Sequence, residues 1–179
     1  MKIFENFINE MAVNPVSDKM RQDLKAKGYK VPAQISVTSE RGAYRINIKD
    51  LKIDDEEVKK IVKKHESYDR DVKTGEILAG GNTFVFVDYD YDVQKKESQR
   101  LKSTVEKFVD QAMSDKGRDV KLKNGYVFGV FTNTTDKDAE NIKKGYTRPY
   151  EKMFYVKKNG KDVSREFGQL WWVLVKAGY

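Results

Sequence analysis

Apolar residues fall in short periodic runs along this chain, and the period changes several times. Phe4, Phe7, Ile8 and Met11 recur at helical spacing, so the first stretch reads as an amphipathic helix broken at Asn14-Pro15. Ser17 then stands where an N-cap would open a short helix carrying Met20 and Leu24, with Gly28 placed to end it. The period next drops to two. Ile35 and Val37 share one side, and Tyr44, Ile46 and Ile48 follow an Arg41-Gly42 turn, which predicts a β-hairpin with a polar outer face. Asp54 and Glu57 have capping-box spacing ahead of Val58, Ile61, Val62 and His65, one stripe of a further helix.

A second hairpin is expected from Ser67 to Tyr91, with a bend at Lys73–Glu76 and a turn at Gly80-Gly81-Asn82. Leu101, Val105, Phe108 and Ala112 mark a long helix over residues 94–115, whose opposite face carries Lys95, Lys96, Arg100 and Lys107. Beyond "SDKGRD" the pattern restarts. "GYVFGVFT" (125–132) reads as a strand, and Asn159-Gly160 is the strongest short hairpin signal in the chain. Phe167, Leu170, Trp171 and Leu174 fit a last helix, while "LWWVLV" also suits a buried strand. The order predicts an α+β fold: helices packed on an antiparallel β-hairpin sheet, then a second, smaller β-hairpin/helix lobe. The lobes are placed at 1–115 and 116–179.

Composition narrows the chemistry. The 179 residues are enough to bury a core without disulfides, and the absence of cysteine removes thiolate catalysis, iron–sulfur clusters and cysteine zinc sites. "MKIFENFINEM" carries acidic and polar residues where a signal peptide needs an apolar run, and no stretch approaches the ~20 apolar residues of a membrane span. The expectation is a soluble protein of a bacterial cytoplasm, with no membrane partner. A net charge of +7, from 35 basic against 28 acidic residues, favours a nucleic-acid or ribonucleoprotein partner.

Few residues offer catalysis. His65 is the single histidine, which removes paired-histidine ribonuclease mechanisms; it stands either as a lone base or as a structural residue in phase with Val58, Ile61 and Val62. Asp88, Asp90 and Asp92 alternate, so an extended strand would put them on one face, where they are the candidate ligands for Mg²⁺ or Ca²⁺. The calcium-loop template fails at Val93 and Gln99, and the same aspartates equally suit the N-terminus of a basic helix. No cofactor is called for, apart from Mg²⁺ if Asp88 and Asp90 cut a phosphodiester. Gly80-Gly81-Asn82 leads into a strand and lacks the phosphate-loop lysine, so its role is geometric. No Ser/His/Asp set is legible.

The binding signal lies later. "KKGYTRPYEKMFYVKKNGK" (143–161) interleaves Lys143, Lys144, Arg148, Lys152, Lys157, Lys158 and Lys161 with Tyr146, Tyr150, Phe154 and Tyr155, against the single acid Glu151. Cations neutralise phosphates and rings stack on unpaired bases, which suits RNA or single-stranded DNA. The competing reading is a lysine-solvated hairpin whose aromatics face the core. Trp171 and Trp172 read as core anchors, one of them a candidate hot spot for a partner.

"ESYDRDVKTGEILAGGNTFVFVDYD" (66–90) resembles a large polyvalent-protein-associated domain of phage, plasmid and conjugative-element proteins. The matching positions are Gly75, Glu76, Ile77, Leu78, Gly80, Gly81, Asn82, Thr83, Phe84 and Val85, within a likeness covering residues 30–92. A short protein built around such a domain is similar to small inhibitors of type II CRISPR systems. The resemblance implies an anti-CRISPR protein whose partners are the effector nuclease and its guide RNA, by binding or by truncation of that RNA, with a ribonuclease-type activity in the second case. The alternative is a single-strand-binding accessory protein of conjugation or phage replication.

Overall fold

The computed structural model describes residues 15–40, 43–68, 70–77, 82–145 and 153–179. The expected N-terminal helix, the Arg41-Gly42 turn and the Gly80-Gly81 part of the second turn lie outside them. The fold is α+β, and it divides into two units at Val93/Gln94.

The first unit holds a three-stranded sheet in the order β1-β2-β3, from β1 (Ile35–Glu40), β2 (Ala43–Ile48) and β3 (Phe84–Tyr89). Alternation along β1 and β2 sends Ile35, Val37, Tyr44, Ile46 and Ile48 to one side, where α1 (Pro15–Ala26) and α2 (Asp55–Val62) bury Met20, Leu24, Val58 and Val62 against them. Each such side chain taken from water contributes about 1.5–3 kcal/mol. Among the described residues α1 already runs from Pro15, so Ser17 does not cap it. Ser17 is instead buried inside the helix, its hydroxyl accepting from Arg21 Nη1 at 3.1 Å. Gly28 does end the helix, with Tyr29 N–H returning to Leu24 O. Asp54 caps α2 by accepting from Glu56 N–H.

Among the described residues the second hairpin forms only in part. Isolated antiparallel bridges join Ser67 to Thr83 and Arg70 to Ile77, while β3 itself pairs in parallel with β2. The cause is burial. No described residue from Ser67 to Ile77 is buried, whereas Val85 and Val87 share the core of Tyr44, Ile46 and Ile48, so β3 docks beside β2.

The second unit is a four-stranded antiparallel sheet, β4-β5-β6-β7, from β4 (Val120–Lys121), β5 (Tyr126–Val130), β6 (Phe154–Lys158) and β7 (Lys161–Asp162). The long helix α3 (Tyr91–Ser114) buries Leu101, Val105, Val109 and Ala112 in this core, together with Ala139 and Ile142 of α4 (Asp136–Lys143) and Leu170, Val173 and Leu174 of α5 (Leu170–Lys176). The apolar stripe of residues 94–115 thus belongs with the later strands, and the division falls earlier than 115/116. The last segment is helical. Among the described residues no helix is long and apolar enough to cross a membrane.

Candidate nucleic-acid interface

The basic-aromatic stretch separates into three groups. At the end of α4, Lys143 is committed to acids, 2.8 Å from Asp110 and 3.3 Å from Glu140, and the bond to Asp110 raises its pKa. Lys144 lies 4.0 Å from Glu140 and stays largely exposed. Tyr146, Arg148, Tyr150 and Lys152 lie outside the described residues. On β6, Phe154 is buried in the core, as the solvated-hairpin reading expects. Tyr155 and Lys157 face the other way. The Tyr155 hydroxyl donates to Asp119 Oδ1 at 3.0 Å, and Lys157 Nζ sits 3.0 Å from the same oxygen and 5.0 Å from the Tyr155 ring centre. The Lys157 hydrogen bond holds the Asp119 carboxyl below its ordinary range. Burial, then the bond to Asp119, pushes the Tyr155 phenol up to about 12.

The third group is different. Asn159 (φ 49) and Gly160 (φ 82) make the β6–β7 turn, and Asn124 (φ 52) and Gly125 (φ 72) make the β4–β5 turn. Both central residues of such a turn need positive φ, which Asn and Gly tolerate. Asn159 N–H donates to Gly125 O at 2.9 Å, so the two turns close on each other. They carry Lys158 and Lys161 on one side and Lys123 on the other, with Lys121 next to the β4 turn. Lys158 Nζ lies 4.9 Å over the Tyr126 ring and Lys123 Nζ 4.3 Å over Tyr179. None of these four lysines has a carboxylate partner among the described residues. Lys121 and Lys123 were not singled out by the sequence. The Asn124-Gly125 pair repeats the Asn159-Gly160 signal and was the cue to them.

The three aspartates do not share a strand face. Asp88 is exposed on β3, Asp90 follows the strand, and Asp92 is already in the first turn of α3. Asp90 Oδ1 accepts the N–H groups of Asp92 and Val93, each at 3.1 Å, which makes it a helix cap. Strand geometry ends at Tyr89, so the period-two argument for a Mg²⁺ trio does not apply. Among the described residues no group of three or more metal-ligating side chains gathers. His65 follows α2 in a 3₁₀ turn (Lys63–His65), where its Nε2 lies 2.6 Å from Asp23 Oδ2 of α1. That bond, followed by Lys64, lowers the Asp23 pKa. Both bonds tie α2 to α1.

A groove of about 760 Å³ in the second unit is lined by Lys102, Lys143, Lys144, Glu106, Asp110 and Glu140, with Gln169 and Trp171 beside them. Its three lysines are matched by three carboxylates, and Lys143 is paired with two of them, so the groove has no excess of positive charge. The Trp171 indole N–H donates to Gln169, and its ring meets Trp172 at 5.2 Å, so both tryptophans are partly buried anchors. No family model, no characterised protein and no solved structure matches the chain.

Proposed function

We propose that the protein binds nucleic acid through the two-turn end of its second unit, and that in a mobile-element setting its target is the guide RNA of a type II CRISPR effector. The observation that supports this is the placing of Lys123, Lys158 and Lys161, without carboxylate partners among the described residues, on the two turns joined by the Asn159–Gly125 hydrogen bond. Three such cations set positive potential around a hydrogen-bonded pair of turns, which suits a phosphate backbone. The anti-defence setting comes from the resemblance of residues 66–90 and is part of the proposal. The aspartates and His65 serve as cap and helix tie, so the reading is stoichiometric binding rather than cutting.

The test is fluorescence anisotropy of a labelled guide RNA, alone and assembled with a type II effector, across salt concentrations. Three phosphate contacts give a log–log salt slope of about −2 on a single strand, and replacing Lys158 and Lys161 by alanine removes about 1.4 of it. Binding that needs the effector supports the inhibitor reading. Equal binding to the bare strand supports the accessory-protein reading on the same surface. A salt-insensitive affinity, or a double variant with an unchanged slope, overturns both.

A further inference from the structure

The outward face of the first sheet breaks the rule that its neighbours keep. Thr38, Arg45, Asn47 and Asp88 make it polar, as alternation requires, yet Phe84 and Phe86 of β3 point to the same side. Phe86 is 46% exposed and Tyr68, stacked on Phe84, 39%. Burying such a ring is favourable by about 1.5–3 kcal/mol, so two left in water on one face ask for an occupant.

The rings form a line with a cation at each end. Arg70 lies 4.9 Å over Tyr68, whose ring stacks on Phe84 at 6.3 Å and 11°; Phe86 follows two residues on, and Arg45 lies over it at 5.6 Å from its register position on β2. Neither arginine has a carboxylate partner among the described residues. Glu66, which meets the strand edge, is occupied by Lys63 and by Val85 N–H. Asp88 is the one acid on this face of β3, one outward position beyond Phe86.

We propose that this face is a base-stacking site for unpaired nucleic acid, separate from the lysine end of the second unit. Outward side chains on a strand recur at roughly 6.5–7 Å, about twice the 3.4 Å rise of a stacked strand. A chain lying along β3 therefore opens its own stack to set one base on Phe84 and one on Phe86, and Tyr68 extends the platform by a third. Arginine planes supply the charge that phosphates need and stack on bases themselves. Asp88 repels the backbone and limits the site to two or three nucleotides. A duplex, whose bases are not available for stacking on protein, does not fit.

The experiment uses the full chain with labelled oligo-U, oligo-dT and a duplex of equal length. Phe86→Ala is expected to weaken single-strand binding by about fivefold or more, the range of one lost base–ring stack, with the salt slope unchanged. Phe86→Tyr keeps the affinity, and the duplex binds no better to wild type than to Phe86→Ala. Photocrosslinking of a 5-iodouridine oligomer, which needs no variant, is expected to mark Tyr68 or Phe84–Phe86. The proposal is overturned if Phe86→Ala and Tyr68→Ala bind within twofold of wild type, or if crosslinks fall only outside this face. It is also overturned if Phe86→Ala abolishes a concentration-dependent dimer in sedimentation and leaves oligomer binding alone, since the face would then be an interface between copies. Replacing Lys158 and Lys161 moves the salt slope whatever happens at Phe86, so the two sites fail independently.

Discussion

The ring of Tyr155 occupies the space that a side chain on Gly129, its partner on the neighbouring strand, would need. The glycine lets the ring cross β5 and deliver its hydroxyl to Asp119. Gly129→Ala must push the ring aside, and destabilisation of about 1–3 kcal/mol is expected, as for other overpacked sites. In a Tyr155→Ala background the same change becomes neutral or stabilising by about 0.5–1 kcal/mol, because alanine is the better strand residue once the space is free. Urea denaturation of the four proteins measures this cycle. Equal costs in both backgrounds would separate the two residues.

Asp119 makes part of that stability depend on acid. Its folded pKa is depressed, chiefly by the Lys157 hydrogen bond, so the contribution is full above the ordinary carboxyl value near 3.8 and is lost as pH falls through the lower folded value. Both side chains are about two-fifths exposed, so the amount is under about 1 kcal/mol. The gap in denaturation midpoint between wild type and Asp119→Asn should be present at about pH 6 and shrink progressively as pH falls below the ordinary carboxyl value near 3.8. At the alkaline end the Tyr155 phenol, raised to about 12, contributes below pH 10 and loses that contribution through 12.

Leu101, 2% exposed on α3, is packed with the second sheet. Leu101→Ala should cost about 2–5 kcal/mol. Hydrogen exchange locates the loss: amides of Tyr126–Val130 and Phe154–Lys158 lose protection and those of Ala43–Ile48 keep theirs. Faster exchange in Ala43–Ile48 alone would place the helix with the first core.

Local signals were legible and pairings were not. The β1–β2 hairpin, the stripe of α3 and the Asn159-Gly160 turn are written in periodicity or turn chemistry within a few residues. Helix α4 was missed because only Ala139 and Ile142 are buried on it, although Thr135 and Asp138 form a complete capping box. The parallel seating of β3 depends on which strand meets the same two helices, a question no local window holds. The basic stretch shows the same limit. Lys143 and Lys157 look as free as Lys158 and Lys161 along the chain, and only folding brings Asp110 and Asp119 to the first pair. Arg45 and Phe86 likewise meet only through the β2–β3 register.

Asp90 separates a helix cap from a metal ligand. Its carboxylate receives two backbone N–H groups at the start of α3, where they have no partner within the helix and where negative charge meets the positive end of the dipole. Asp90→Ala should therefore cost about 1 kcal/mol, and Asp90→Ser, which can still accept, should recover most of it. Asp88 makes no such bond from its exposed position on β3, so Asp88→Asn should leave the thermal midpoint nearly unchanged. A cap works without Mg²⁺. Millimolar MgCl₂ should shift the midpoints of wild type, Asp88→Asn and Asp90→Ala by the same small amount, as ionic strength alone does. A shift seen in wild type and lost in both variants would instead mean that the two carboxylates share an ion, and would return them to the candidates for phosphodiester cleavage.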